Sequence, residues 1–309
     1  LLDRDRAPQI AIAGSAGKTT VTGWLAATLR ALSKRVLVIN GGTMIDAETD
    51  VLPGNFSEDS TPDFLVVEVD ESDRSLVAFT PDVGVVLNVG TDHYSETELH
   101  DVFARFLDRC TRSQVIPLSL VAALHDHGPA EQRLFSPVPV AGAEGFGVTF
   151  PESFEAHRNG CSFTLNRLGR VRCGQYGHHS AANAAAVAAA VLATGINVDP
   201  ATLAEALTGF RGIRQRFERM GTTRLGQPVY QDYAHNVQKI AAAIDTARDA
   251  VGGGALMIVF QPHGFGPLGF MRSPLEATLQ AALAADDEFI LLPVYYAGGT
   301  TSFSPTSEA

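Results

Sequence analysis

Apolar residues in the first half of the chain gather in short, nearly uninterrupted runs at 9–13, 35–40, 64–70, 83–89 and 114–118. Runs of that length without polar alternation are the pattern of parallel strands covered on both faces. Between them lie segments of helical character, such as 19–33 and 97–110. Strand, turn and helix in regular succession predict an α/β fold around a doubly wound, mostly parallel sheet. From about residue 146 to 175 the texture changes. Four short runs, 146–150, 154–158, 161–165 and 171–173, are separated by Gly, Pro and Asn and predict a small antiparallel β subdomain. An alanine-rich helix over 180–194 and a helix over 200–207 follow, and Gly209-Phe210-Arg211-Gly212 reads as a hinge. The α/β pattern then restarts, with strands at 228–231, 255–260 and 288–294 and helices at 237–251 and 274–284. The expected division is a first domain over 1–212 and a second, Rossmann-like α/β domain over 213–309, incomplete at its C-terminus.

Composition changes this picture little, being that of an ordinary globular protein with 45% hydrophobic and 18% charged residues. The net charge of −11 argues against a nucleic-acid partner, whose phosphate backbone calls for a basic surface. It leaves room for a nucleotide, which one lysine and backbone amides can hold. Cys110, Cys161 and Cys173 are odd in number and widely spaced, so neither a disulfide framework nor a cysteine metal site is indicated, and a reducing cytoplasm is the expected location. No run approaches the roughly 18 apolar residues of a membrane span, and no basic-then-apolar leader precedes the first strand. A chain that opens on Leu1 and stops at Ala309 just past a strand signal reads as part of a longer protein.

Candidate chemistry sits at the ends of the strand-like runs. Gly14-Ser15-Ala16-Gly17-Lys18-Thr19-Thr20 follows a strand and opens a helix. Glycines let backbone N–H groups approach phosphate oxygens, the helix N-terminus adds partial positive charge, Lys18 neutralises β/γ charge, and a threonine hydroxyl can ligate Mg²⁺. Ile12 stands where the longer phosphate-loop pattern has its first glycine, so this is a shortened G-x-x-G-K-T-T form. Val66-Val67-Glu68-Val69-Asp70-Glu71-Ser72-Asp73 closes another buried run with a cluster of acids, and Asn88-Val89-Gly90-Thr91-Asp92-His93 ends a third. In open α/β sheets ligands bind beyond the carboxyl ends of the strands. Glu68 there can complete a magnesium shell shared with phosphates. For the stretch from Asp70 to Asp73 a helix-capping role is the competing reading.

These three segments together resemble the Mur ligases, which join amino acids or peptides to a nucleotide-linked sugar in cell-wall synthesis. Later segments extend the resemblance: Gly177-His178-His179-Ser180-Ala181-Ala182-Asn183, the junction from Phe210 to Phe217, Asp232-Tyr233-Ala234-His235, and Val259-Phe260-Gln261-Pro262-His263. The acid cluster and D-Y-A-H point to the alanine-adding and tripeptide-recycling branch. That branch lacks the carbamylated lysine of other Mur ligases, in keeping with a chain whose only lysines are Lys18, Lys34 and Lys239.

The resemblance implies a carboxylate that attacks the γ-phosphorus of ATP, then an amine that displaces phosphate from the acyl phosphate. Lys18 and the backbone from Gly14 to Thr20, with Ser15, Ala16, Gly17 and Thr19 between them, would cradle phosphates. Thr19 and Glu68 would hold one Mg²⁺, and His93 with Glu68 a second. Asn183 and His179 would contact adenine, Arg216 a phosphate and Asp232 the ribose, the last two on closure of the second domain; His235 would lie near the incoming amine. The partners implied are small molecules, an amino acid or peptide and a carboxylate acceptor of the UDP-sugar type, with no membrane partner.

Departures from the family pattern keep two alternatives open. His179 stands in place of Asn, Gln215 in place of a second arginine, and Asn236-Val237-Gln238-Lys239 in place of H-P-x-E. Gly264-Phe265-Gly266-Pro267-Leu268-Gly269-Phe270 replaces an arginine-rich stretch that contributes to substrate recognition, and no UDP-binding domain stands before Gly14. The alternatives are a Mur-fold ligase with another substrate, like cyanophycin or folylpolyglutamate synthetases, and a degenerate ATP-binding regulatory module.

Overall fold

The structure is a computed structural model that describes residues 7–45, 47, 54–57, 61–71, 75–90, 96–124, 127–128, 131–142 and 147–295. The chain forms two compact units, Leu1–Glu218 and Arg219–Ala309.

The first unit is built on an eight-stranded sheet. Its strands are β1 (Gln9–Ala13), β2 (Val36–Ile39), β3 (Phe56–Ser57), β4 (Phe64–Glu68), β5 (Val83–Val86), β6 (Ser113–Pro117), β7 (Glu131–Phe135) and β8 (Val148–Thr149). They lie in the order β3-β2-β4-β1-β5-β6-β7-β8. Every pairing is parallel except β2 with β3. The helices are α1 (Lys18–Ala31), α2 (Glu96–Leu107), the single turn α3 (Val121–Leu124), α4 (His178–Ala193) and α5 (Pro200–Leu207).

Burial explains the unbroken apolar runs. Alternate residues of β1 belong to two different cores: Ile10 and Ile12 pack with Val21, Trp24 and Leu25 of α1 and the alanines of α4, while Ala11 and Ala13 pack with Leu99, Phe103 and Phe106 of α2. A strand covered on both faces has no polar side to show. The small side chains of Ala184 through Ala190, all buried, let α4 lie close against the sheet and α1. Helix α5 starts where Pro200 predicts, with the Asp199 side chain accepting from Thr202 N–H at 3.0 Å. Because β1 pairs with both β4 and β5, and the chain crosses over it between them, the carboxyl ends of β1, β4 and β5 meet at a switch point of the sheet.

Strands β9 (Pro151–His157), β10 (Gly160–Leu165) and β11 (Gly169–Cys173) form the expected antiparallel sheet. The first of the four runs assigned to it belongs elsewhere: β8 pairs in parallel with β7 and extends the large sheet. Strand β7 itself was not foreseen, because Glu131, Gln132 and Arg133 give it a polar start suited to its partly exposed position near the sheet's edge.

In the second unit β12 (Glu218–Thr222) and β13 (Pro228–Gln231) form one two-stranded sheet. β14 (Met257–Phe260) and β15 (Glu288–Leu291) form another, parallel one. Helices α6 (Val237–Val251) and α7 (Phe265–Ala282) enclose a small core of Ile240, Ile244, Phe260, Leu268, Met271 and Leu275. Helix α7 begins nine residues before the predicted Pro274, which sits inside it. Residues 213–218 stay with the first unit, six positions beyond the expected division. Ile213 anchors them: it is 1% exposed in the first core and bridges to Met44.

Candidate active site

The turn from β1 into α1 is tied down at both glycines. Gly14 has φ 137° and Gly17 φ 86°, both in the region that side chains disfavour. A Cβ on Gly14 would lie 2.9 Å from the Leu87 Cβ and 3.1 Å from its backbone nitrogen, so the loop presses directly on the end of β5. Asn88 fastens the tip, its Oδ1 accepting from Ala16 N–H and its Nδ2 donating to Ala16 O, both at 2.9 Å. Ser15 adds a second tie: its Oγ accepts from Gly90 N–H at 2.8 Å and lies 3.2 Å from Gly90 O. The loop's shape is thereby set before any ligand arrives.

Lys18, the first residue of α1, folds back over this turn. Its ammonium donates to Gly14 O at 2.7 Å and to Glu71 Oε2 at 2.6 Å, with Asp70 Oδ1 3.7 Å away. The next residue, Thr19, donates from Oγ1 to Glu68 Oε1 at 3.1 Å, while Glu68 Oε2 accepts from Gly41 N–H at 2.7 Å. Thr20 is 8% exposed within α1. A hydroxyl and a carboxylate oxygen side by side form a hard, all-oxygen donor pair, which fits Mg²⁺. Among the described residues no three His, Cys, Asp or Glu side chains gather as a metal site. His93, expected to serve a second metal, lies outside the described residues, as do Ser72 and Asp73.

Other expected residues fall into two groups. Asn183 of α4 reaches the loop: its Oδ1 would stand 3.0 Å from a Cβ on Gly17. His179 is exposed at the start of the same helix, and its neighbour His178 lies against Phe154 with ring centroids 3.9 Å apart. Arg216 belongs to the first unit, in a turn closed by its N–H to Ile213 O at 3.3 Å. That segment is held beside the site by Arg214 N–H to Thr43 O and Ile45 N–H to Gly212 O. Asp232 and His235 belong to the second unit, as does His263. There Asp232 Oδ1 accepts from Ala234 N–H at 2.7 Å, and His235 Nδ1 lies 2.9 Å from Tyr233 O.

Three contributors carried no role in the sequence reading. Glu71 holds Lys18, Asn88 braces the loop, and Gly41-Gly42 after β2 line the site against Glu68 and Thr19. The signal for the last was a buried strand ending in two consecutive glycines, which marks a close backbone approach.

The Mur ligase middle domain matches residues 12–191. UDP-N-acetylmuramate–L-alanine ligase of Rubrobacter xylanophilus is 33% identical over 300 residues, covering 94% of this chain and 62% of its own length. The chain thus spans less than two-thirds of that relative. Among solved structures, UDP-N-acetylmuramate-alanine ligase from Thermotoga maritima superposes with a TM-score of 0.72 at 25% identity, covering 94% of this chain and 68% of that one. MurF ligase from Thermotoga maritima in complex with ADP shares the fold at 17% identity, with a TM-score of 0.64 over 92% of this chain and 70% of its own. A family match over residues 12–191 and a relative 33% identical over 94% of the chain show that the chain belongs to the Mur ligase family.

Proposed function

We propose that this chain carries the nucleotide-binding and catalytic core of an ADP-forming amide ligase, with ATP and Mg²⁺ at the Gly14–Lys18 turn. The acceptor proposed is a carboxylate of the UDP-N-acetylmuramate type, the amine donor L-alanine or a peptide, and the place of action the cytoplasm. The observation that carries the reading is the pairing of Lys18 on the loop with Thr19–Glu68 at one sheet edge. Backbone N–H groups at the start of α1 orient the phosphates, and Lys18 offsets charge on the transferring phosphoryl group. The acceptor oxygen attacks the γ-phosphorus, ADP leaves, and the amine then adds to the acyl carbon while phosphate departs. This chemistry calls for positioning and charge neutralisation rather than a covalent protein nucleophile. Thr19 and Glu68 would hold Mg²⁺, which supplies charge neutralisation across phosphate oxygens. Asn183 and His179 serve the adenine side of the site in this reading, and His93 a second metal. Arg216 contributes to phosphate binding and Asp232 to the ribose, while His235 faces the amine. The domains proposed are an ATP-binding core over the first unit and a closing domain over the second.

Phosphate release from ATP, stimulated by UDP-N-acetylmuramate with L-alanine and lost in Lys18→Ala, is the expected result. Absence of any nucleotide binding would refute the reading.

A second reading, a Mur-type ligase for another substrate, is favoured by one observation: the first turns of α7, from Phe265 to Phe270, carry no cationic side chain. Phosphate release indifferent to both UDP-N-acetylmuramate and L-alanine, yet stimulated by another carboxylate and amine, would select it.

A further inference from the structure

The phosphate loop closes on an anion drawn from its own chain. Lys18 and Glu71 are 14% and 10% exposed in their side chains, and Nζ and Oε2 stand 2.6 Å apart. Asp70, the other acid near Lys18, is 56% exposed and 3.7 Å away. Among the described residues of this strand end the remaining carboxylate is Glu68, whose two oxygens are engaged by Thr19 and Gly41. The single ammonium of the loop is therefore already neutralised, in a setting with little water to screen a second negative charge.

We infer that Glu71 is a positioning residue that occupies, on Lys18, the place of a phosphate oxygen, so that nucleotide entry is an exchange of anions. Resting on the proposal that this loop holds nucleotide phosphates, the inference adds a condition to it. A bare nucleotide brings several negative charges to an edge already carrying Glu68, Asp70 and Glu71, where the ammonium of Lys18 is engaged by Glu71. A nucleotide arriving with a divalent cation brings two charges fewer, and its phosphate oxygens can displace Glu71 or share the ammonium with it. Glu71 thereby keeps Lys18 pointed at its post in the empty protein and makes binding depend on the metal. After transfer, the same carboxylate competes for Lys18 and speeds the departure of ADP.

The test is calorimetric titration of the whole chain with ADP, once with Mg²⁺ and once with a chelator, for the unaltered protein, Glu71→Gln and Glu71→Ala. The unaltered protein is expected to bind at least 100-fold more weakly without the metal. Both variants should bind metal-free ADP at least tenfold more tightly than the unaltered protein, a gain of about 1.4 kcal/mol, and the dependence on Mg²⁺ should shrink. In turnover the KM for ATP should fall without a rise in kcat. A merely structural partner of Lys18 would do the opposite, since its removal would loosen the lysine and weaken binding in both conditions. Unchanged or weaker binding in a variant whose thermal unfolding remains cooperative overturns the inference alone. No ADP binding by the unaltered protein under either condition overturns the functional reading with it.

Discussion

Gly14→Ala separates two costs that the loop imposes. The first is conformational: at φ 137° any side chain is strained, at about 1–3 kcal/mol. The second is steric, and its size depends on what the new methyl meets. Here it meets the Cβ of Leu87 at 2.9 Å and the backbone nitrogens of Leu87 and Asn88 at 3.1 and 3.2 Å. Those atoms end a parallel strand whose residues Val85 and Val86 are fully buried, so they cannot swing aside. Overpacking against such a wall costs about 1–3 kcal/mol more, for a sum of about 2–6 kcal/mol. At about 2–4 °C per kcal/mol for a unit of this size, the first unit should melt roughly 5–20 °C lower. Gly17→Ala makes the contrast. Its φ of 86° is also unfavourable, but the new methyl meets the end of the Asn183 side chain at 3.0 Å, which can turn away. The steric cost then largely disappears, and the loss falls on ligand binding. Differential scanning fluorimetry of both variants decides the matter, because Trp24 is the sole tryptophan and lies fully buried in the first unit. A Gly14→Ala melting point within about 2 °C of the original, or one above that of Gly17→Ala, would show the loop to be softer than argued.

Lys18→Ala leaves Glu71 as a nearly buried carboxylate without its ammonium partner, at a cost of about 3 kcal/mol; urea denaturation should show most of this recovered in the double variant Lys18→Ala/Glu71→Gln, and equal losses would exclude the coupling. Trp24→Phe removes an indole donor to Leu207 O at 3.0 Å and should cost about 1–3 kcal/mol by the same assay, the carbonyl being left unsatisfied in the core. Cys110 is buried and its thiol is pushed up to about 12 by burial, so a thiol reagent at pH 8 should leave it unmodified until the protein is denatured; rapid labelling would contradict the packing. In the second unit the Asp287 carboxylate is held below the usual range, foremost by Arg248 and then by the N–H groups of Leu256 and Ala284. Its contribution is present above the unfolded pKa of about 3.9 and is lost as pH falls through the lower folded value. Acid unfolding of that unit should therefore steepen below about pH 4 and flatten in Asp287→Asn, and an unchanged acid profile would rule this out.

Much of the first unit was legible because its chemistry and its period agree. Runs at 9–13, 64–70 and 83–89 contain the strands that meet at the switch point, and each named motif lies at or across the end of its strand. Residues whose roles depend on a distant partner were harder to read. Glu71 sits in an acid-rich stretch where capping is the ordinary role, and only the fold sets it against Lys18, 53 residues away in sequence. Asn88 was visible as part of a motif, but its grip on Ala16 depends on β1 and β5 being neighbours. Residues 213–218 were assigned to the second domain because the glycines before them suggested a hinge. Tertiary packing overrides that signal: Ile213 fits into space left by Gly23 and Gly42, where an added Cβ would come within 2.6 and 3.0 Å of it.

The stretch from Gly264 to Phe270 shows why substrate identity is less legible than phosphate chemistry. The sequence predicts a helix only from 274, yet Leu268, Met271 and Leu275 recur at helical spacing and are all buried in the core of the second unit. Pro274 does not stop α7 because it lies on the exposed side, and Phe270, whose carbonyl loses its partner there, is 90% exposed. Helix formation thus needs only the inward stripe and leaves the outward side chains free to vary. Phosphate binding works the other way: it uses backbone N–H groups, which demand glycine at fixed φ and brook little variation. A side chain on the outward face of an intact helix can be replaced without disturbing the fold. If the proposed function holds, placing a cation at Phe265, the first residue of α7, should change which acceptor or amine stimulates phosphate release while leaving Mg²⁺-dependent ADP binding within about twofold, a difference below 0.5 kcal/mol. Equal loss of ADP binding in a folded Phe265→Arg variant would show that the two properties are not separable in this chain.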